Sequence, residues 1–222
     1  MITLGQDSNT KTRLIYVFDP LCGWCYGFTP VIERFAEQHP ELREEVISGG
    51  MITGDRIGPI GEVAPYIKTA YKDVENTTGI KFGEPFLKDI LDEGSAIFTS
   101  IPPSVALAIV KDINPEKAFP FSKLLQKSIY YYGNAPEKLE QYQNLAEELG
   151  IDTNGFLEKM EDEEYLKLAE RDFQMSNSLG VNGFPTVFIV SGGSIIPIAR
   201  GYVDNQTLES NYQRALEMVK NK

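Results

Sequence analysis

Leu14-Ile15-Tyr16-Val17-Phe18-Asp19-Pro20-Leu21-Cys22-Gly23-Trp24-Cys25 is the stretch on which the reading of this chain turns. Its first five residues are apolar throughout, as in a strand buried on both faces. Asp19-Pro20-Leu21 forms the exit. A helix is then predicted from about Cys22 to Gln38, with Cys25, Phe28, Ile32 and Phe35 spaced three and four apart on one face. The two cysteines open that helix one turn apart. A helix N-terminus carries about half a unit of positive charge and several free N–H donors, and both favour a thiolate at the first cysteine. The second lies close enough to resolve a mixed disulfide.

These are the only two cysteines, so no separate structural disulfide is available. The chain also has one histidine, His39, so zinc held by four Cys and His ligands within one chain is impossible, and no metal is expected.

Working outward, Glu45 to Ser48 can form a second strand, closed by Gly49-Gly50. From about Gly54 to Met160 helical periodicity dominates: Val105, Ala108 and Ile109 suit one helix face, Phe121, Leu124, Leu125 and Ile129 another. Tyr142, Leu145, Ala146 and Leu149 suit a third, with Gly150 as its C-cap. Another helix is predicted near 163–179. Thr186 to Val190 is again a buried-strand run, Ser191-Gly192-Gly193-Ser194 a hairpin turn, and Ile195 to Ala199 the returning strand. Pro197 has no N–H for a ladder, which places that strand at a sheet edge. Asp204 can N-cap a last helix with Leu208, Tyr212, Ala215, Leu216 and Val219 on its apolar face.

The chain has 222 residues with a net charge of −11, which argues against nucleic acid as a partner and against anionic membranes. No apolar run approaches the length of a membrane span, and residues 1–13 lack the apolar core of a signal peptide, so the expected location is cytoplasmic.

Strand, helix, strand, a long helical block, helix, strand, strand, helix: with the block removed, the order is that of a small α/β domain. The chain resembles the DsbA-like family of thioredoxin-fold thiol–disulfide oxidoreductases. The residues that carry the resemblance are Cys22-Gly23-Trp24-Cys25 after a strand, Pro30 five residues past the second cysteine, and Phe184-Pro185-Thr186 opening a later strand. The neighbourhood from Asp19 to Phe28 is similar to the cytosolic FrnE-like branch. The resemblance implies a thioredoxin fold, a mixed central sheet flanked by helices, with a large all-helical insertion. Residues 1–53 and 171–222 would form the thioredoxin-like domain and 54–170 the insertion.

By the same resemblance Cys22 is the catalytic nucleophile, exposed at the helix tip, and Cys25 the less accessible resolving thiol. Phe184-Pro185 would be a cis-proline step beside them, its backbone open to an extended substrate. Trp24 and Phe184 would give an apolar rim, making Trp24, Phe184 and Pro185 the substrate-binding set. No cofactor is implied beyond the redox-active disulfide itself. Expected partners are protein or peptide thiols and disulfides, with glutathione or a thioredoxin-type reductant as further candidates; monomer and homodimer both stay open. The strongly oxidising periplasmic members carry a histidine where this chain has Trp24. A milder oxidant, or a reductant, is therefore expected, with Asp19 opposing the thiolate if it points inward. Two other readings stay open: a glutathione-linked transferase or isomerase of the kappa-like group, and a non-catalytic redox-sensing adaptor.

Other features read more plainly. Gly49-Gly50 is a turn rather than a phosphate loop, since no P-loop pattern follows. Tyr130-Tyr131-Tyr132 reads as core and rim packing, Glu161 to Glu164 as a solvated helix start, and His39 as a surface residue near a helix C-terminus.

Overall fold

The computed structural model describes residues 12–220. In chain order the elements begin with β1 (Arg13–Phe18), α1 (Gly23–Gln38) and β2 (Arg43–Ser48). The central block holds β3 (Gly58–Pro59), α2 (Ala64–Thr78), β4 (Ile97–Phe98), α3 (Ile101–Ile113), α4 (Ala118–Tyr130), α5 (Glu140–Glu148) and α6 (Phe156–Met160). The chain closes with α7 (Glu163–Ser178), β5 (Thr186–Ser191), β6 (Ser194–Arg200) and α8 (Asn205–Lys220).

The main sheet has the order β2-β1-β5-β6. β1 lies parallel to β2 and antiparallel to β5, which pairs antiparallel with β6, so the sheet is mixed as expected. A strand flanked on both sides and covered on both faces reads as an unbroken apolar run, and Leu14 to Phe18 are all buried. Both central positions of the β5–β6 turn have positive φ, Gly192 at 54° and Gly193 at 73°, the geometry that a two-residue hairpin needs. Pro197 sits on β6, an outer strand, and the pairing register shifts between Val187 and Phe188 beside it. On the opposite rim Lys111 Nζ donates to Val46 O (2.9 Å), and Asp172 Oδ2 accepts the Ser48 N–H (3.1 Å) while pairing with Lys111 (2.8 Å).

The helices cover the sheet and extend past it. Asp204 precedes α8, its carboxylate accepting the Thr207 N–H (2.7 Å), and α8 buries Leu208, Tyr212 and Ala215 as its pattern predicts. The largest apolar cluster joins Phe18, Phe28 and Phe35 to Phe121, Tyr142 and Phe156, so the central block shares a core with the sheet. A second cluster belongs mostly to the block: Ile60, Val74, Phe82, Phe86, Phe98 and Tyr130, with Leu21 and Tyr26 reaching into it from the active-site segment. α7 runs unbroken through residue 170, so a division at 170/171 falls inside a helix.

One expectation is corrected. The block is not all-helical: Gly58 pairs with Phe98 and Pro59 with Ile97 in a two-residue ladder. Such a pairing is too short to show a period of two in the sequence. Among the described residues no helix is long and apolar enough to cross a membrane.

Candidate active site

Cys22 is the N-cap of α1, with extended backbone (φ −92°, ψ 109°), and its sulfur accepts the Cys25 N–H at 3.4 Å. A cysteine here does what a serine or aspartate N-cap does: it satisfies one of the orphan donors of the first turn. The Cys22 thiol in turn faces the Phe184 carbonyl at 3.6 Å. Both cysteines are unpaired thiols. Cys22 is 7% exposed and Cys25 fully buried, so the expected order of access holds, but Cys22 is recessed rather than exposed. The cause is the packing around it: Trp24, Met51 and Phe184 all lie against the cluster that contains both sulfurs.

The turn that presents Cys22 is held from below. Asp19 is fully buried and accepts three hydrogen bonds: from Leu21 N (2.9 Å), Met51 N (2.7 Å) and Ser100 Oγ (2.9 Å). Gln126 on α4 donates to the carbonyls of Asp19 (3.3 Å) and Cys22 (3.4 Å), and its own oxygen takes the Thr29 hydroxyl (3.2 Å). Three chain segments outside the motif therefore fix it: the loop at Met51, the start of α3 at Ser100, and α4 at Gln126.

The Phe184–Pro185 peptide bond is cis, Pro185 is buried and Phe184 half-buried. The Phe184 ring lies directly on the backbone of Gly49, where an added Cβ would sit 2.1 Å from ring carbons. Gly50 does the same for Phe173 (2.6 Å) and adopts φ +66°. The Gly49-Gly50 turn is thus part of the site's architecture. Gly201 N donates to Pro185 O (2.7 Å), which brings Tyr202 over the helix tip, 6.1 Å from Trp24 and 6.2 Å from Phe28 between ring centroids.

Burial pushes the Cys25 thiol well above its ordinary range, and the neighbouring Cys22 sulfur and Asp19 carboxylate push it the same way. Burial also raises the Asp19 carboxyl, outweighing its hydrogen bonds. The phenols of Tyr16 and Tyr130 are raised by burial first, then by the two sulfurs for Tyr16 and by the Cys22 sulfur, the Asp19 carboxylate and the Cys25 sulfur for Tyr130.

Cys22, Cys25, Phe184 and Pro185 thus meet at one place, with Trp24 on the rim beside Tyr202. Asp19 points inward, as its unfavourable reading required. Ser100, Gln126, Met51 and Tyr202 carry no local sequence signal of a role here; Gly49-Gly50 did, and was read as a turn alone. His39 lies at the far end of α1, between Glu41 (3.2 Å) and Glu209 (2.8 Å). Tyr130 is buried while Tyr131 and Tyr132 are exposed, the split between core and rim that was read. A cleft of about 1350 Å³ runs along β2 past Arg13, Lys111 and Asp172, and neither cysteine lines it.

A DSBA-like thioredoxin domain model matches residues 117–213, the part of the chain from α4 to α8. The chain is similar to a candidate protein disulfide isomerase from Nitrosomonas europaea, with 28% identity and a TM-score of 0.83, over 94% of this chain and 99% of that one. It is also similar to the cytosolic disulfide reductase DsbM from Pseudomonas aeruginosa, with 25% identity and a TM-score of 0.77, over 93% and 99%. The same protein solved with GSH gives a TM-score of 0.75, again at 25% identity, over 93% and 98%. A 2-hydroxychromene-2-carboxylate isomerase shares the fold at 16% identity and a TM-score of 0.63, over 94% and 98%. No curated protein sequence matches the chain.

Proposed function

We propose that this chain, which fits the DsbA-like thioredoxin family, is a thiol–disulfide oxidoreductase that reduces disulfides of peptides and proteins in a reducing, cytoplasmic compartment. The observation that carries the reading is the unequal setting of two neighbouring free sulfurs. Cys22 caps a helix and receives the Cys25 N–H, whereas Cys25 is sealed beneath it.

Cys22 is the nucleophile. Its thiolate attacks one sulfur of the substrate disulfide, forms a mixed disulfide, and releases the other substrate sulfur as a thiolate. Cys25 then attacks the Cys22 sulfur and releases the second substrate thiol. The protein is left as the Cys22–Cys25 disulfide, oxidised by two electrons, and the substrate is reduced by two. The rim of Trp24, Phe184 and Tyr202 suits apolar segments of an unfolded chain, and the backbone before Pro185 suits an extended one. Of the sheet-bearing parts, 1–53 supplies the sulfurs and 171–222 the Phe184–Pro185 step, and the block at 54–170 frames the approach and braces the turn through Ser100 and Gln126.

Glutathione is the reductant that returns the disulfide to the dithiol. That choice is supported by the resemblance to DsbM, a disulfide reductase solved with GSH. The reducing direction is supported by Trp24, which stands where the strongly oxidising relatives carry a cationic residue.

The test is insulin reduction with glutathione as the electron source. The native protein is expected to turn over, Cys22→Ser to be inactive, and Cys25→Ser to accumulate mixed disulfides at Cys22. A native protein that reduces nothing, with a Cys25→Ser variant that traps no thiol, would overturn the reading.

A further inference from the structure

Tyr16 sits in the middle of β1, paired with Val46 on one side and Val187 on the other. Its side chain points into the cluster that holds both sulfurs and is 2% exposed. The ring stacks on Phe18 (5.4 Å) and packs against Phe28 (6.1 Å) and Phe119 (6.3 Å). Its hydroxyl is one of the few buried polar atoms of the described residues with no formed hydrogen bond. A buried hydroxyl left unpaired lowers stability, and a phenylalanine would fill the same ring site without that loss. The hydroxyl shares this buried cluster with the Cys25 sulfur, which acts on the phenol although no hydrogen bond joins them.

Cys25 needs a donor when it ionises. The Cys25 N–H is committed to Cys22. Asp19 sets a carboxylate near Cys25, which opposes a second negative charge, although its backbone N–H faces the sulfur favourably. The Asp19 carboxyl is already engaged by Leu21, Met51 and Ser100. The Tyr130 phenol, in the second apolar cluster, also feels the charge of both sulfurs. Among these groups Tyr16 combines near-complete burial, a place in the cluster that holds both sulfurs and an O–H with no formed hydrogen bond.

We infer that Tyr16 is a positioning residue for the resolving step: its hydroxyl turns to donate to the Cys25 sulfur as that sulfur becomes a thiolate. This inference rests on the oxidoreductase reading above. Tyr16 keeps its own proton throughout. The proton that Cys25 gives up ends on the departing substrate thiolate, while the Cys25 sulfur forms its bond to Cys22. A donor to an ionised acceptor is worth more than one to a neutral group, so the contact favours resolution and leaves the first attack by Cys22 untouched.

The experiment uses the full chain and an aromatic disulfide whose thiol product is coloured, followed by stopped flow. One coloured thiol is released when Cys22 attacks and a second when Cys25 resolves. In Tyr16→Phe the first phase is expected to keep its native rate. The second is expected to slow by about tenfold or more, and its pH profile to move to higher pH. The reduced variant should melt no lower than the native protein, because it loses an unpaired hydroxyl. Unchanged second-phase kinetics would overturn the inference while leaving the oxidoreductase reading intact. Equal slowing of both phases, or slowing together with a lower melting temperature, would overturn it in favour of a packing role. A native protein with neither phase would overturn both.

Discussion

The two ends of α1 solve the same problem in opposite ways. At its N-terminus the chain is fixed by a buried polar network: Asp19 with three donors, and Gln126 bridging two carbonyls. At its C-terminus the largely buried His39 ring pairs with Glu41 and Glu209 and packs against Phe35 (4.5 Å) and, edge to face, Tyr212 (4.6 Å). The Glu41 and Glu209 carboxylates at the outer end are exposed, can rearrange, and their pairing with His39 is worth little. Charge at the inner end is dry, and every partner of it is committed. The end that carries the sulfurs is thus the rigid one, and the difference sets what each substitution should do.

The largest effect is expected at Asp19. Asp19→Ala strands the N–H groups of Leu21 and Met51 in a dry site, at about 1–3 kcal/mol each, so a loss of about 3 kcal/mol or more should appear in urea unfolding. The same carboxyl gives the inner end a pH signature. Its folded value is raised above the ordinary 3.8, so the folded state holds that proton more tightly than the unfolded chain. Its contribution is fully present below the unfolded value and is lost as pH rises through the folded one. Stability of the native protein is therefore expected to fall with rising pH across that window, with a slope that Asp19→Asn lacks. A flat difference between the two proteins would mean that the inner end is not electrostatically dry.

Gly49→Ala comes next. The new Cβ falls 2.1 Å from the Phe184 ring, so the ring must move. Overpacking of this kind costs about 1–3 kcal/mol. Here the displaced ring belongs to the residue whose backbone carbonyl faces Cys22, so insulin reduction should fall as well. Unchanged activity with lowered stability would separate the ring from the chemistry.

The smallest effect belongs to the outer end. His39→Gln is expected to change stability by only about 0.5 kcal/mol and to leave both phases of thiol exchange unaltered. A measurable change in exchange rate would break the contrast between the two ends.

The sheet and α1 were legible because their signals are local. An apolar run, a three-and-four repeat, Gly192-Gly193 and Pro197 each act over a few residues, and the structure has the strands, the hairpin and the edge where they were read. The Cys22–Phe184 encounter, across 162 positions, was reached only by resemblance, since no local pattern ties the two segments. The bracing of the site stayed invisible for the same reason. Ser100 lies 81 positions from Asp19, and Gln126 lies 104 from Cys22. A serine or glutamine on a helix reads as solvated until a partner from elsewhere removes the water. Short elements were also missed: the five-residue α6 and the seven-residue π-helical turn Phe86–Asp92 have too few residues to show a period.

The guarded rims of the sheet bear on aggregation. An open outer strand offers a template on which another chain can nucleate a growing β-structure. Here Lys111 and Asp172 occupy backbone groups of Val46 and Ser48 on β2, and Pro197 with its register shift interrupts β6. Under the proposed function, every client chain brings sticky segments to the site. Charge on one rim and proline on the other leave such segments little to recruit, which would keep the sheet from becoming a seed for them.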